Sequence, residues 1–133
     1  FSVDVGDTYS RMSTLNISSN KSQYELYEIE QRRLDSFVVE KNLPRPTIVK
    51  IDVEGAELKV IEGMEMTLRG EDLRLLYCEV HPYLMKKMGD EEVHLFSRLK
   101  DAGFEVEVID QRDVKYEDGG SEVQKFIRAS REG

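Results

Sequence analysis

The run Thr47-Ile48-Val49-Lys50-Ile51-Asp52-Val53, turned at Glu54-Gly55 and followed at once by helically spaced apolar residues, constrains this chain more than any other feature. A short, largely β-branched run favours a strand, and one this apolar reads as covered on both faces. Gly55 permits an acute turn out of it. Ala56, Val60, Ile61, Met64 and Leu68 then recur at intervals of three and four, forming one apolar helix face that Gly70 closes. A strand feeding directly into a helix points to an α/β fold.

The same grammar continues downstream. Leu73 to Val80 reads as a second buried strand, and Glu91 to Ala102 as an amphipathic helix with Val93, Leu95, Phe96 and Leu99 inward and Gly103 at its end. Phe104 to Ile109 reads as a third strand and Val123 to Ala129 as a fourth, with the turn Asp118-Gly119-Gly120 before it. Right-handed crossovers would make this sheet mostly parallel. The last strand lacks a crossover helix and is expected to insert antiparallel, giving the second half of a doubly wound α/β domain. Upstream, Leu34, Phe37, Val38 and Leu43 fall at helical spacing until Pro44 and Pro46. Tyr24, Leu26 and Ile29 interleave with Glu25, Glu28 and Glu30 as in a half-exposed edge strand. Residues 1–22 read as a loose leading segment with one short strand at Phe1 to Val5, and 23–133 as the folded unit.

Charge narrows the partners. A net charge of −8 repels phosphate backbones and anionic membranes, so neither nucleic acid nor a membrane surface is expected. No apolar run approaches the roughly 20 residues that span a bilayer. The first residues carry no signal-peptide pattern, although a chain beginning at Phe1 could have lost a targeting segment. Cys78 has no cysteine to pair with, which fits a reducing, cytoplasmic setting and a packing role.

Ligands of open α/β sheets gather at the carboxyl ends of the parallel strands. Here the first strand ends in Lys50-Ile51-Asp52-Val53-Glu54-Gly55-Ala56-Glu57, and the second in Glu79-Val80-His81-Pro82. Ionisable groups beside apolar strands are costly unless paired or used. Alternation points Asp52 the same way as Lys50, so an ion pair between them competes with a role for Asp52 as general base, hydroxyl holder or divalent-ion ligand. Glu57 falls in the first helical turn, where the dipole favours a carboxylate. His81 can act as proton acceptor, metal ligand or backbone cap, with Glu79 on the same strand face to orient it. Asp52, Glu54, Glu79 and His81 together could also form an oxygen-rich divalent-metal site, though no dense ligand motif is present. His94, among charged helix neighbours, is expected to be exposed. Val3-Asp4-Val5-Gly6-Asp7 has the start of a glycine-loop strand but no further glycines at the needed spacing, and reads as a loop.

Lys50 to Leu58 followed by Val60-Ile61-Glu62-Gly63 resembles the hallmark of FkbM-type methyltransferases, K-x-D-x-E-G-x-E-x-x-V-L-x-G. Glu79-Val80-His81-Pro82 matches that family's following E-x-H-P, and Arg33-Leu34-Asp35-Ser36-Phe37 resembles its R-x-L-D lead into the preceding helix. The resemblance implies a class I, S-adenosylmethionine-dependent O-methyltransferase acting on a hydroxyl of a sugar or natural-product molecule. It implies Asp52 beside the methyl-donor sulfonium and the substrate, as both catalytic and cofactor-binding residue, with Glu54 and His81 lining the acceptor pocket and Lys50 and Glu79 binding substrate around them. The family's glycine-rich cofactor loop and its ribose-binding acid find no counterpart, so the chain is expected to correspond to the C-terminal half of such a domain, which needs about 200 residues in full. By itself it is expected to bind the cofactor weakly or not at all and to be inactive, although its parent is active. A sheet edge left open that way is free to form a homodimer. Two other readings remain at this stage: a receiver-like signalling or interaction domain phosphorylated at Asp52, and a metal-dependent hydrolase on the acidic rim.

Overall fold

The computed structural model describes residues 10–17 and 24–132. Strands β1 (Ser10–Ile17) and β2 (Tyr24–Gln31) form a two-stranded antiparallel sheet with Ser10 opposite Gln31 and Ile17 opposite Tyr24. The leading segment expected to be loose therefore contains a paired strand. The short strand expected at Phe1 to Val5, and the loop over Val3 to Asp7, lie outside the described residues.

A short helix α1 (Leu34–Glu40) leads to β3 (Ile48–Ile51), and the chain then alternates as expected. Helices α2 (Glu57–Gly63) and α3 (Glu65–Arg69) precede β4 (Leu75–Val80). Helices α4 (Pro82–Lys87) and α5 (Glu92–Asp101) precede β5 (Glu105–Lys115), which turns back as β6 (Ser121–Ser130). The second sheet has the order β3-β4-β6-β5. β3 pairs parallel with β4, while β6 pairs antiparallel with both β4 and β5. β3, β4 and β5 thus run the same way; β6 is reversed, as the sequence led us to expect, and sits between β4 and β5. By ladder the sheet is nonetheless mixed, with one parallel pair, because the inserted strand separates β5 from its parallel neighbours.

The core lies on one side of this sheet. Leu76, Cys78 and Val80 of β4 and Ile127 and Ala129 of β6 meet Leu58 and Ile61 of α2, Met64, Leu68 of α3, and Leu95 and Leu99 of α5. Helices α2 and α5 also pack on each other. Burying each of the Leu, Ile, Val and Met side chains among these contributes about 1.5–3 kcal/mol relative to exposure. The other side of the strands is not covered in the way the apolar run suggested. Ile48 is 62% exposed and Lys50 lies in the open, so β3 alternates between core and solvent.

Three further differences have local causes. The helix expected to run from Ala56 to Leu68 breaks at Met64 (φ −125°, ψ 29°). There Asp35 of α1 accepts the backbone N–H of Met66 and Thr67 and the Thr67 hydroxyl at 2.7, 2.9 and 2.7 Å, capping α3 as a fresh N-terminus. Helix α4 was missed because Pro82 reads as a strand stop, whereas it occupies the first helical turn, where proline's missing N–H carries no penalty. Val93, expected inward on α5, is 58% exposed, since Leu95 and Leu99 alone define its buried stripe.

Candidate functional site

Pairing of Ile51 with Cys78 brings the carboxyl ends of β3 and β4 side by side, so Asp52 and Glu54 leave the sheet at the same rim as Glu79 and His81. Gly55 makes the turn possible. Its φ of +97° suits glycine, and a Cβ there would lie 2.8 Å from the Leu84 carbonyl carbon of α4. The turn presses backbone to backbone against α4 and sends Glu57 inward at the start of α2.

The outer part of the rim is open. Lys50 Nζ and Asp52 Oδ2 form the ion pair at 3.2 Å, with both side chains largely in solvent. Glu54 is exposed, and Glu79 is half-buried.

Behind it lies a buried polar cluster. Glu57 is fully buried and its Oε1 is 2.5 Å from His81 Nδ1 and 3.3 Å from the Gly55 backbone N–H. His81 Nε2 lies 2.7 Å from Gln124 Nε2 of β6. The same amide nitrogen donates to Glu79 Oε2 at 3.0 Å, and Gln124 Oε1 accepts from Arg112 Nε of β5 at 2.7 Å. An arginine donor needs the amide oxygen and a carboxylate needs the amide NH₂, so the orientation of Gln124 is fixed from two sides. The neutral imidazole must then accept at Nε2 and donate Nδ1–H to Glu57. Glu79 therefore orients His81 through Gln124 rather than by direct contact. Burial disfavours the imidazolium, but the hydrogen bond and charge of Glu57, with Glu122 and Glu79 beyond, outweigh it and raise the His81 pKa above its ordinary value. Among the described residues, Glu57 Oε2 is buried without a hydrogen-bond partner.

The hairpin of β5 and β6 closes one flank. Buried Glu122 accepts the Tyr83 backbone N–H at 2.7 Å and the Tyr116 hydroxyl at 2.6 Å. Tyr83 and Tyr116 stack with ring centres 5.2 Å apart, and Asp118 pairs with Lys87. Burial, then the bond to Glu122 and its charge, push the Tyr116 phenol up. Burial, reinforced by Glu57, Glu79 and Asp52, pushes the Cys78 thiol up, in keeping with packing and not nucleophilic chemistry.

Sequence reasoning named Lys50, Asp52, Glu54, Glu79 and His81, and the fold gathers all of them at one rim. It read Glu57 as a helix-dipole residue and passed over Gln124, Arg112 and Glu122. Neither the meeting of Glu57 with His81, 24 positions apart, nor the part played by the β5 and β6 residues carries a local signal. A cavity of about 360 Å³ lies elsewhere, lined by Leu58, Glu62, Arg69, His94, Ser97, Arg98 and Asp101 between α2, α3 and α5. His94 is exposed, as expected. Among the described residues no three His, Cys, Asp or Glu side chains converge as a metal site, and no helix is long and apolar enough to cross a membrane. A family model described as the methyltransferase FkbM domain matches residues 4–106. No curated protein and no solved structure matches the chain.

Proposed function

This chain belongs to the FkbM methyltransferase family, and we propose that it serves methyl transfer from S-adenosylmethionine to a hydroxyl of a sugar or natural-product type small molecule. The observation that carries this reading is the shared rim: two neighbouring parallel strands end together in carboxylates, exposed at Asp52 and Glu54 and half-buried at Glu79, in front of the buried Glu57–His81 pair. A methyl-donor sulfonium is cationic, and Asp52, Glu54 and Glu79 give the rim a negative field that suits it. When bound, S-adenosylmethionine supplies an electrophilic methyl group.

In this reading Asp52 lies beside donor and acceptor, Glu54 and His81 line the acceptor side, and Lys50 and Glu79 flank them. Holding the acceptor oxygen in line with the methyl carbon supplies much of the rate. The hydroxyl proton passes to a rim base as the new carbon–oxygen bond forms.

The test is incubation of the whole protein that carries this sequence with S-adenosyl[methyl-³H]methionine and a panel of free sugars and polyhydroxylated small molecules. Label is expected in an acid- and base-stable ether product, with Asp52→Asn lowering its formation. Absence of labelled product across the panel, together with no heat of binding for S-adenosylhomocysteine, would overturn the assignment.

A further inference from the structure

We infer that Glu57 is a positioning residue for His81: it dictates which ring nitrogen carries the proton, and so leaves Nε2 as the base offered to an acceptor hydroxyl. The catalytic half of this inference rests on the methyl-transfer reading, whereas the hold of Glu57 on the ring does not.

The geometry is specific. Glu57 has no exposed surface, comes from the helix that follows β3, and reaches His81 at the end of β4 with a 2.5 Å contact to Nδ1. A carboxylate buried for helix-dipole reasons alone would spend its oxygens on the N-terminal N–H groups of its own helix. Among the described residues Oε2 has no partner, and besides the imidazole Oε1 reaches only the Gly55 N–H, at 3.3 Å. A carboxyl group buried so sparsely has the ring it faces as its main polar partner.

At Nε2 the Gln124 amide supplies a hydrogen-bond donor, held in that sense by Arg112 and Glu79. An acceptor hydroxyl offers the same kind of donor. To reach Nε2 that hydroxyl must displace the buried Gln124 amide. It then takes the amide's place without any change of tautomer, its proton moving to Nε2 as its oxygen takes the methyl and the donor's carbon–sulfur bond breaks to leave a neutral thioether. The imidazolium so formed donates Nδ1–H to Glu57, with Glu122 and Glu79 as further negative charges on its other sides and Arg112 as the nearby positive one. This is the division of labour between a base and the carboxylate that orients it.

The chain has two histidines, so the imidazole nitrogen signals of the ¹⁵N-labelled chain come from His81 and His94 alone. Long-range ¹H–¹⁵N correlation above the His81 titration, read from the same signals, is expected to show the neutral ring protonated at Nδ1 and bare at Nε2. Glu57→Gln is expected to weaken proton binding by His81 about tenfold or more, which the titration of the same signals reads directly. With an acceptor that takes label from S-adenosyl[methyl-³H]methionine, Glu57→Gln should lower kcat at least about tenfold at little change in KM, and move the acid limb of the pH profile with the His81 titration. Glu57→Asp keeps the charge and should hold that limb closer to the parent, which a purely structural role would not produce. A wild-type His81 protonated at Nε2 overturns the inference, as does a folded Glu57→Gln variant whose His81 titration is unmoved. If the wild type transfers no label, the methyl-transfer reading fails, and the nitrogen spectra alone decide whether Glu57 governs the ring. Should Glu57→Gln not fold, the wild-type tautomer and Glu57→Asp carry the decision.

Discussion

At the scale of single residues, two carboxylates a few positions apart on one strand–turn–helix unit have opposite environments. Asp52 is half in solvent and paired with an exposed lysine, so Asp52→Asn should change stability by only about 0.5 kcal/mol while lowering turnover. Parallel urea titrations and methyl-transfer assays check this, and a large loss of stability with unchanged turnover per folded molecule would favour the ion pair as its whole role. Glu57 is sealed in, and its partner responds to pH. Because the His81 pKa is raised on folding, the pair's contribution is fully present below the ordinary imidazole value of about 6.5 and is lost as pH rises through the higher folded value. The gap in urea midpoint between wild type and His81→Asn should therefore narrow as pH climbs through that window. A gap constant with pH would mean that His81 titrates alike in the folded and unfolded chain.

Elements here are set as much by side chains reaching in from elsewhere as by their own sequence. Asp35 ends one helix and starts another by capping α3, so Asp35→Ala should destabilise by about 1–2 kcal/mol, with amide exchange fastest at Met66 and Thr67. Protection at those amides equal to the parent would argue that α3 holds its first turn without the cap. Gly55 is needed twice over, for its positive φ and for its approach to Leu84, and Gly55→Ala should cost more than about 2 kcal/mol. Circular dichroism melts would register that as a fall of several degrees. Both positions fall within stretches that carry the family resemblance, and each has a backbone reason to be the residue it is.

For the molecule as a whole, Arg131 closes the fold. Its guanidinium donates to the carbonyls of Leu68, Gly70, Leu73 and Ala102 and lies 4.5 Å over the Phe104 ring, joining the ends of α3 and α5 to the start of β4. Replacing it by methionine keeps the packing stem but strands several carbonyls, for an expected loss of about 3 kcal/mol or more in denaturant unfolding. Retention of the parent midpoint would mean that water replaces those bonds without penalty.

The amino-acid sequence by itself determined the alternation of strands and helices, the reversed last strand and the collection of acidic residues at the ends of β3 and β4. These depend on periodicity, glycine turns and chain direction, all of which are local or follow from connection rules. Only the tertiary structure decided that β3 is covered on one side, that Met64 interrupts a helix, and that His81 faces Glu57 and Gln124 rather than Glu79. The reason is distance along the chain. Gln124 lies 43 positions from His81 and Asp35 lies 32 from Thr67, and no local pattern specifies which polar atoms will meet once the apolar faces have packed.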